Sequence, residues 1–225
     1  MIKAVLFDLD NTLIDFMKMK RIASEQAASA MVDAGLDMNI ERASRELFET
    51  YMEVGIESQS AFSEFLKRNQ GRVDDKVLAA GINAYLKAKE SFLEPYSGVI
   101  PTLVQLIKKG YKLAIVTDAP RLKAWQRLHA MGIQHFFNVV VCLEDTGETK
   151  PGKLPFEKVL EELNLEPAEA LMVGDWPERD IQGAKALRMK TAFARYGATS
   201  EVSDSGADYE IDDIRDILDI VEEFS

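Results

Sequence analysis

The sequence contains little cysteine and a deficit of basic residues. Cys142 is the single cysteine among 225 residues, so an intrachain disulfide is excluded and a reducing, cytoplasmic location is expected. Lys and Arg together number 27 against 38 Asp and Glu, which gives a formal net charge of −11 at pH 7. Such a chain has no broad basic surface with which to neutralise phosphates, so binding to nucleic acid or to an anionic membrane is not expected.

Long apolar runs are also missing. No stretch approaches the roughly 18 residues that are needed to span a bilayer. Near the N-terminus only Lys3 precedes a short apolar segment that ends at Asp8, which is unlike a signal peptide. Hydrophobic residues nevertheless make up 47% of the chain, enough for a packed core. We therefore expect a soluble protein with no membrane partner, whose oligomeric state the sequence does not indicate.

Short apolar strands alternate with helical segments over most of the chain. Residues 2–7 predict a buried strand, and the chain from Glu94 onward repeats a strand–helix pattern. Further strands are predicted at 112–116, 139–143, 170–173, 191–194 and 208–211. The helices predicted between them include one that starts at Pro101 and one at about 178–187. Repeated β–α units predict an α/β fold with a Rossmann-like, doubly wound parallel sheet that carries helices on both faces.

A segment with a different texture interrupts this pattern directly after the first strand. Residues 16–92 are dominated by Ala, Met, Glu, Lys and Leu and contain no convincing strand. Four helices are predicted, at about 17–34, 40–53, 58–69 and 74–91. We interpret 16–92 as an all-helical cap domain inserted into an α/β core made of 1–15 and 93–225, with hinges near Asp15 and Glu94.

Polar residues with chemical potential follow the predicted strands. In open α/β sheets, ligands bind at the carboxyl ends of the strands. The residues at those ends are Asp8, Asp10, Thr117, Asp118, Lys150, Asp175 and Asp180. Taken singly, each has an ordinary explanation as a turn former, a helix N-cap or a solvated lysine. Together at one sheet edge, they indicate a functional site.

This set of residues suits phosphoryl transfer. Clustered carboxylates repel one another and need a cation, and hard oxygen ligands favour Mg²⁺. A magnesium ion and Lys150 would neutralise a phosphate, and the hydroxyl of Thr117 would hydrogen-bond one of its oxygens. Two acids two residues apart allow one to attack covalently while the other donates and then accepts a proton.

With these residues the chain resembles the haloacid dehalogenase superfamily, specifically its phosphatases with a helical cap after the first strand. Four motifs follow the family's order over the whole chain: Asp8-Leu9-Asp10-Asn11-Thr12-Leu13, Thr117-Asp118, Lys150-Pro151, and Gly174-Asp175 through Asp180. The first and fourth together are specific, whereas the middle two are weak alone.

The resemblance implies a role for each motif residue. Asp8 would be the nucleophile that forms an aspartyl-phosphate, and Asp10 would protonate the leaving alcohol and then activate water. Magnesium would be held by Asp8, the main-chain carbonyl of Asp10, and Asp175. Asp180 would support the metal shell or orient Lys150. The phosphoryl group would be bound by Thr117, the amide of Asp118, and Lys150.

Three positions depart from the family's pattern. Asp118 stands where Asn or Ser is common, and its additional charge has no explanation in the sequence. Pro155 lies further from Lys150-Pro151 than the usual second proline. Arg188 occupies a position where glycine often follows the helix of the last motif, so either the left-handed cap is lost or Arg188 is strained.

These residues are compatible with several functions. A phosphatase acting on a small phosphorylated metabolite is favoured. A dehalogenase of this superfamily would have no second acid at position 10, since a halide leaving group needs no proton. A phosphomutase would use the same two aspartates. A signalling receiver domain, which also combines acids, Mg²⁺, Thr and Lys, has its phosphoacceptor on a middle strand and has no large helical insert.

The segment 16–92 is expected to select the substrate. Lys18, Lys20 and Arg21 follow the first hinge and would either bind a second anionic group of the substrate or form a solvated helix face, the reading we favour. Trp176, directly after Asp175, would either shape the substrate pocket or simply pack against neighbouring residues. Neither His129 nor His135 is assigned a catalytic role.

Overall fold

A computed structural model of the protein describes residues 1–224. The chain divides into two compact units, one formed by Met1–Asp15 with the chain from Glu94 onward, and the other by Phe16–Leu93. In the described residues no helix is both long enough and apolar enough to cross a membrane.

The second unit consists of four helices. They are α1 (Phe16–Asp33), α2 (Ile40–Val54), α3 (Ala61–Gln70) and α4 (Asp75–Ser91). Side-chain caps define two of the N-termini, because Asn39 and Asp74 each accept hydrogen bonds from the first backbone N–H groups of α2 and α4. The left-handed Gly71 ends α3.

One basic residue of α1 is not solvated. Lys18 and Arg21 are exposed, as a solvated helix face requires, but Lys20 is only 3% exposed. Its Nζ lies 3.8 Å from the ring centroid of Tyr51 and 5.0 Å from that of Tyr85. The predicted solvated face is therefore wrong for Lys20, whose charge is stabilised against aromatic faces.

The first unit contains a six-stranded sheet. Its strands are β1 (Ala4–Phe7), β2 (Lys112–Val116), β3 (Val139–Val141), β4 (Ala170–Gly174), β5 (Lys190–Ala194) and β6 (Tyr209–Ile211). The spatial order is β3-β2-β1-β4-β5-β6, and every pairing is parallel. This is a doubly wound order, so the predicted α/β class is confirmed. Both β1 and β4 are buried along their whole length, as apolar strands covered on two faces should be.

The helices of this unit surround the sheet. They are α5 (Val99–Lys108), α6 (Arg121–Ala130), α7 (Leu143–Thr146), α8 (Leu154–Leu163), α9 (Gln182–Ala186) and α10 (Ile217–Glu222). In one core cluster, Phe156 and Val159 of α8 are packed with Leu6 of β1 and Val116 of β2.

Three boundaries differ from the sequence prediction. Helix α5 begins at Val99 rather than Pro101, since proline is tolerated throughout a first turn. Strand β3 ends at Val141, because the Asp145 carboxylate accepts the Cys142 N–H and starts the short α7. The helix predicted at 178–187 opens with a π-helical turn, Pro177–Ile181, before α9.

Arg188 resolves one open alternative. Its φ is +63°, so it adopts the left-handed conformation that glycine usually supplies. Its N–H donates to the carbonyl of Lys185 at 2.9 Å, which closes the end of α9. The cap is thus retained, and Arg188 carries the backbone strain.

Candidate active site

The central strands bring the first and fourth motifs to the same level. Phe7 of β1 is aligned with Ile115 of β2 on one side and with Val173 of β4 on the other. The Asp8 N–H donates to the carbonyl of Val173 at 2.9 Å, which continues the ladder by one residue. Asp8 therefore emerges at the carboxyl edge of the sheet between the ends of its two neighbouring strands.

Lys150 connects the motifs. It is 3% exposed, and its Nζ donates to Asp8 Oδ1 at 2.5 Å, to Asp180 Oδ1 at 2.6 Å and to the carbonyl of Val116 at 2.9 Å. Burial alone would lower the pKa of this ammonium, but the charges of Asp180 and Asp8 raise its pKa well above the usual range. Lys150 is thus a fixed positive charge directly beside Asp8.

Asp118 positions the lysine loop rather than capping a helix. Its Oδ1 accepts the backbone N–H of Lys150 at 2.8 Å, and its Oδ2 accepts from Arg179 Nη1 at 3.2 Å. The Arg179 guanidinium also stacks over the Trp176 ring, 4.0 Å from its centroid. The charge at position 118, unexplained by the sequence, has two partners in the structure.

Thr117 also follows β2 at this edge. It is 4% exposed, and its Oγ1 accepts the N–H of Ala119 at 3.1 Å. Helix α6 begins only at Arg121, with Pro120 at the N-cap position, so neither Thr117 nor Asp118 caps it. The hydroxyl instead stabilises a tight turn at the strand end.

The π-helical turn after β4 brings Asp180 against the strand. The Asp180 N–H donates to the carbonyl of Trp176 at 2.8 Å, and the Trp176 N–H donates to Asp180 Oδ2 at 3.0 Å. A Cβ on Gly174 would lie 2.3 Å from Asp180 Cγ, so only glycine permits this approach. The fourth motif therefore depends on Gly174 as much as on its acids.

Three carboxylates form a compact cluster at this edge. Within residues 1–224, ligand oxygens of Asp8, Asp175 and Asp180 all lie within 4.8 Å of one another. Burial, followed by the charge of Asp180, raises the pKa of Asp8 to about 7, although Lys150 opposes the shift. Burial, followed by the charge of Asp8, raises the pKa of Asp175 to about 9. Crowded, poorly solvated carboxylates are the donor set that suits a hard divalent cation such as Mg²⁺.

These shifts give a pH-dependent prediction for metal binding. The raised pKa values of Asp8 and Asp175 favour their protonated forms in the metal-free protein, whereas a metal ligand must be deprotonated. Calorimetry in buffers of different ionisation enthalpy should therefore show release of on the order of one proton per Mg²⁺ at pH 7, and weaker binding at pH 6 than at pH 8. Equal affinity at both pH values without proton release would contradict the assignment.

The same linkage fixes the sign of a stability effect. Because folding raises these carboxyl pKa values above the ordinary 3.8, the folded state binds more protons than the unfolded state between about pH 4 and pH 9. Metal-free stability should therefore fall as the pH rises through that window. The increase in melting temperature on adding Mg²⁺ should be larger at pH 8 than at pH 6, and Asp175→Asn should abolish most of the difference.

Other contacts hold the loop after β1. Thr12 Oγ1 donates to Asp175 Oδ1 at 3.2 Å, which links the first and fourth motifs. The Tyr196 hydroxyl donates to the Thr12 carbonyl at 2.8 Å. Asn11 has a left-handed φ of +62°, and a Cβ built on Gly197 would lie 1.7 Å from its carbonyl oxygen. The segment after β5 thus packs directly against the motif loop.

Gly197→Ala should damage the site, although Gly197 is not itself a motif residue. The added methyl group must displace backbone at Asn11, and a shift of about 1 Å at a reacting group costs roughly 10²-fold in rate. Gly206→Ala is the matched control, because a Cβ there has no atom within 4 Å and meets only the left-handed strain of about 1–2 kcal/mol. Turnover and thermal melting should show lost activity for the first variant and intact activity for the second.

Asp10 has a partner that sequence reasoning missed. Its Oδ2 accepts from Arg127 Nη1 at 2.8 Å, and the Arg127 side chain is 1% exposed. Arg127 lies on α6, 117 residues along the chain from Asp10, so no local spacing connects the two. The sequence likewise carries no local signal for Arg179 or Gly197, and nothing in it assigns a role to Thr12 within the first motif.

The structure therefore brings the predicted residues together. Asp8, Lys150 and Asp180 are in direct contact, Asp118 contacts the backbone of Lys150, and Asp175 lies in the carboxylate cluster. Asp10 and Thr117 follow β1 and β2 at the same sheet edge. Their roles as nucleophile, proton donor, phosphate ligand and metal ligand stay predictions.

The chain is similar to proteins of one family over most of its length. The family model for haloacid dehalogenase-like hydrolases matches residues 5–194. The glyceraldehyde 3-phosphate phosphatase of Methanopyrus kandleri is 39% identical, with 100% of this chain and 99% of that protein aligned. The pyrophosphatase PpaX of Halalkalibacterium halodurans is 32% identical over 98% of this chain and 97% of that protein. The crystal structure of a HAD phosphatase from Thermococcus onnurineus superposes with a TM-score of 0.72 at 27% identity, covering 98% of each chain.

Proposed function

Because the chain belongs to the haloacid dehalogenase-like hydrolases, we propose that it is a magnesium-dependent phosphatase that hydrolyses a small phosphomonoester through an aspartyl-phosphate on Asp8. The observation that carries the proposal is the position of Lys150, whose ammonium contacts both Asp8 and Asp180 at the edge of the sheet. A buried cation beside the nucleophile suits an anionic substrate and suits the charge that develops in phosphoryl transfer.

In the first step, Asp8 acts on phosphorus. A carboxylate oxygen of Asp8 forms a bond to phosphorus as the bond between phosphorus and the ester oxygen breaks. Asp10 donates a proton to the departing oxygen, so the product leaves as an alcohol. The Lys150 ammonium, the Thr117 hydroxyl and the backbone N–H of Asp118 hold the phosphoryl oxygens.

In the second step, Asp10 reverses its role. It accepts a proton from water, whose oxygen bonds to phosphorus while the bond to the Asp8 oxygen breaks. Inorganic phosphate leaves and the Asp8 carboxylate is restored. Magnesium, held by Asp8, the Asp10 carbonyl and Asp175, with Asp180 in support, would supply positive charge to the phosphoryl group throughout.

The substrate is proposed from the relatives. We place glyceraldehyde 3-phosphate first, since the chain aligns over its full length with a phosphatase named for it. Pyrophosphate is the competing substrate, because a relative at 32% identity is named for it. The second unit, Phe16–Leu93, is proposed as the cap that selects between leaving groups, and the cytoplasm remains the proposed location.

A phosphate-release screen tests the proposal. The purified chain is assayed with and without Mg²⁺ on glyceraldehyde 3-phosphate, phosphoglycolate, sugar phosphates, nucleotides and pyrophosphate, with Asp8→Asn as the control. Magnesium-dependent release from a monoester, absent in the control, supports the proposal. Release of phosphate from pyrophosphate alone would show that the substrate is a phosphoanhydride and not a phosphomonoester.

Two outcomes would overturn the reaction class. Isomerised sugar phosphate without phosphate release would indicate a phosphomutase. Halide release from a haloacid would indicate a dehalogenase, an outcome that Asp10 argues against because a halide needs no proton.

A further inference from the structure

A buried arginine contacts the predicted proton-transfer residue. Arg127 has the largest side chain among those less than 2% exposed in residues 1–224. Its Nη1 donates to Asp10 Oδ2 at 2.8 Å, while the Asp10 side chain is 25% exposed. One group of the pair is therefore enclosed, and the other reaches the edge of the sheet where substrate would bind.

Burial of the Arg127 guanidinium costs desolvation free energy that packing alone does not explain. A guanidinium loses its hydration when it is buried, and an apolar side chain of similar volume in its place is often neutral or stabilising. Arg127 lies on α6 of the same unit, directly along the chain from the β2 end that carries Thr117. The pair thus connects the segment that carries Thr117 with the loop that carries Asp10.

A fixed carboxylate matters for proton transfer. The donor must lie within hydrogen-bond reach of the departing oxygen, and about 1 Å of misplacement is enough to slow a reaction roughly 10²-fold. An aspartate side chain has two rotatable bonds, and a charge-assisted hydrogen bond to a rigid, planar guanidinium restricts both.

We propose that Arg127 is a positioning residue that holds the Asp10 carboxyl group in place, so that its protonated form donates to the leaving oxygen and the resulting carboxylate then accepts a proton from water. This rests on the proposed phosphatase function. Arg127 does not itself contact phosphorus or the ester oxygen in this assignment, so its removal should affect the step that needs a proton more than it affects substrate binding.

The dependence on leaving group separates this role from a structural one. An alkyl phosphate releases a strongly basic alkoxide and needs the proton, whereas p-nitrophenyl phosphate releases a stable phenolate and does not. Arg127→Met, which keeps side-chain length but removes the charge, should lower kcat on glycerol phosphate about 10²-fold. It should lower kcat on p-nitrophenyl phosphate less than about 10-fold, with KM changed little on either substrate. Arg127→Lys should restore part of the lost kcat.

A double-mutant cycle provides the second measurement. In an Asp10→Asn background, Arg127→Met should add little further loss, because the two residues act as one unit. Equal losses on both substrates, or losses that multiply in the cycle, would overturn the proposal while leaving the phosphatase function intact. If Arg127→Met does not fold, the ratio of the kcat losses on the two substrates is measured for Arg127→Lys instead. A wild-type protein inactive on every ester of the phosphate-release screen would instead refute the proposed function.

Discussion

Asp8→Asn should abolish turnover and should at the same time stabilise the metal-free protein at alkaline pH. An amide oxygen is a poor nucleophile and cannot form the acyl phosphate, so the rate of phosphate release should fall by at least about 10⁴-fold. The amide has nearly the shape of the carboxyl group that it replaces, so the surrounding contacts have little reason to rearrange. The loss should therefore lie in kcat rather than in KM.

The stability gain follows from the crowding of the carboxylates. Burial and the charges of Asp180 and Asp10 raise the pKa of Asp8 to about 7, which means that its ionised form is disfavoured in the folded state. Asparagine resembles the protonated form at every pH. The free energy of unfolding of the variant should therefore exceed that of the wild type by about 1–3 kcal/mol at pH 8. This gain should vanish as the pH falls toward about 4, because the Asp8 carboxyl group of the folded wild type is then protonated and neutral, like the asparagine amide.

Three measurements test both parts of this expectation. Phosphate release gives the rate, mass spectrometry of acid-quenched enzyme detects the phosphorylated Asp8 peptide in the wild type alone, and denaturant melts give the stability. Asp37→Asn is the matched control, since Asp37 is exposed in the second unit and should change neither quantity. A variant that keeps wild-type turnover would show that the nucleophile is another residue, and a variant less stable than the wild type at pH 8 would show that Asp8 is not held against repulsion.

The alternation of apolar strands and helices was sufficient to predict the sheet and the residues at its edge. A strand buried on both faces reads as a continuous apolar run, and β1 and β4 have that pattern. The polar residue directly after each run then lies at the carboxyl edge for topological reasons. Asp8 and Asp175 could be located in this way because their positions depend only on where a strand ends.

Residues whose positions depend on distant contacts could not be predicted. Arg127 lies in the last turn of α6 and resembles any helix arginine, and only the packing of α6 shows that it is buried against Asp10. Gly197 resembles an ordinary loop glycine until the backbone of Asn11 is placed beside it. Lys20 reads as part of a basic helix face, although aromatic rings from α2 and α4 cover it. In each case the deciding partner is far away along the chain.

The carboxylate cluster explains why the site needs a cation even when no substrate is bound. Lys150 is the buried positive charge that contacts both Asp8 and Asp180. The backbone N–H of Lys150 donates to the Asp118 carboxylate, which holds the lysine in place. A magnesium ion would be a second positive charge for the same acids. The two cations would therefore share one electrostatic role in stability, while only the lysine is fixed to the chain.

Lys150→Met should consequently separate stability from catalysis. Removal of one partner from a buried ion cluster costs about 3–5 kcal/mol, and here it leaves Asp8 and Asp180 without their ammonium. The loss should be greatest at pH 8 and smaller at pH 5, where the acids can take up protons instead. Turnover should fall by roughly 10²–10³-fold, the usual effect of removing a charge that stabilises a transition state.

Magnesium should restore the stability of Lys150→Met but leave its turnover impaired. At saturating Mg²⁺, the melting temperature of Lys150→Met should recover most of its loss at pH 8, because a divalent cation can neutralise the remaining carboxylates. Turnover should stay low, since a metal ion held by Asp8 and Asp175 would not replace the Lys150 ammonium as a ligand of the phosphoryl group. Lys158→Met is the matched control: its exposed ion pairs with Glu161 and Glu162 on α8 contribute at most about 0.5 kcal/mol, and neither stability nor rate should change. If Mg²⁺ restored turnover together with stability, Lys150 would act only by neutralising the cluster, and its assignment to the phosphoryl group would be wrong.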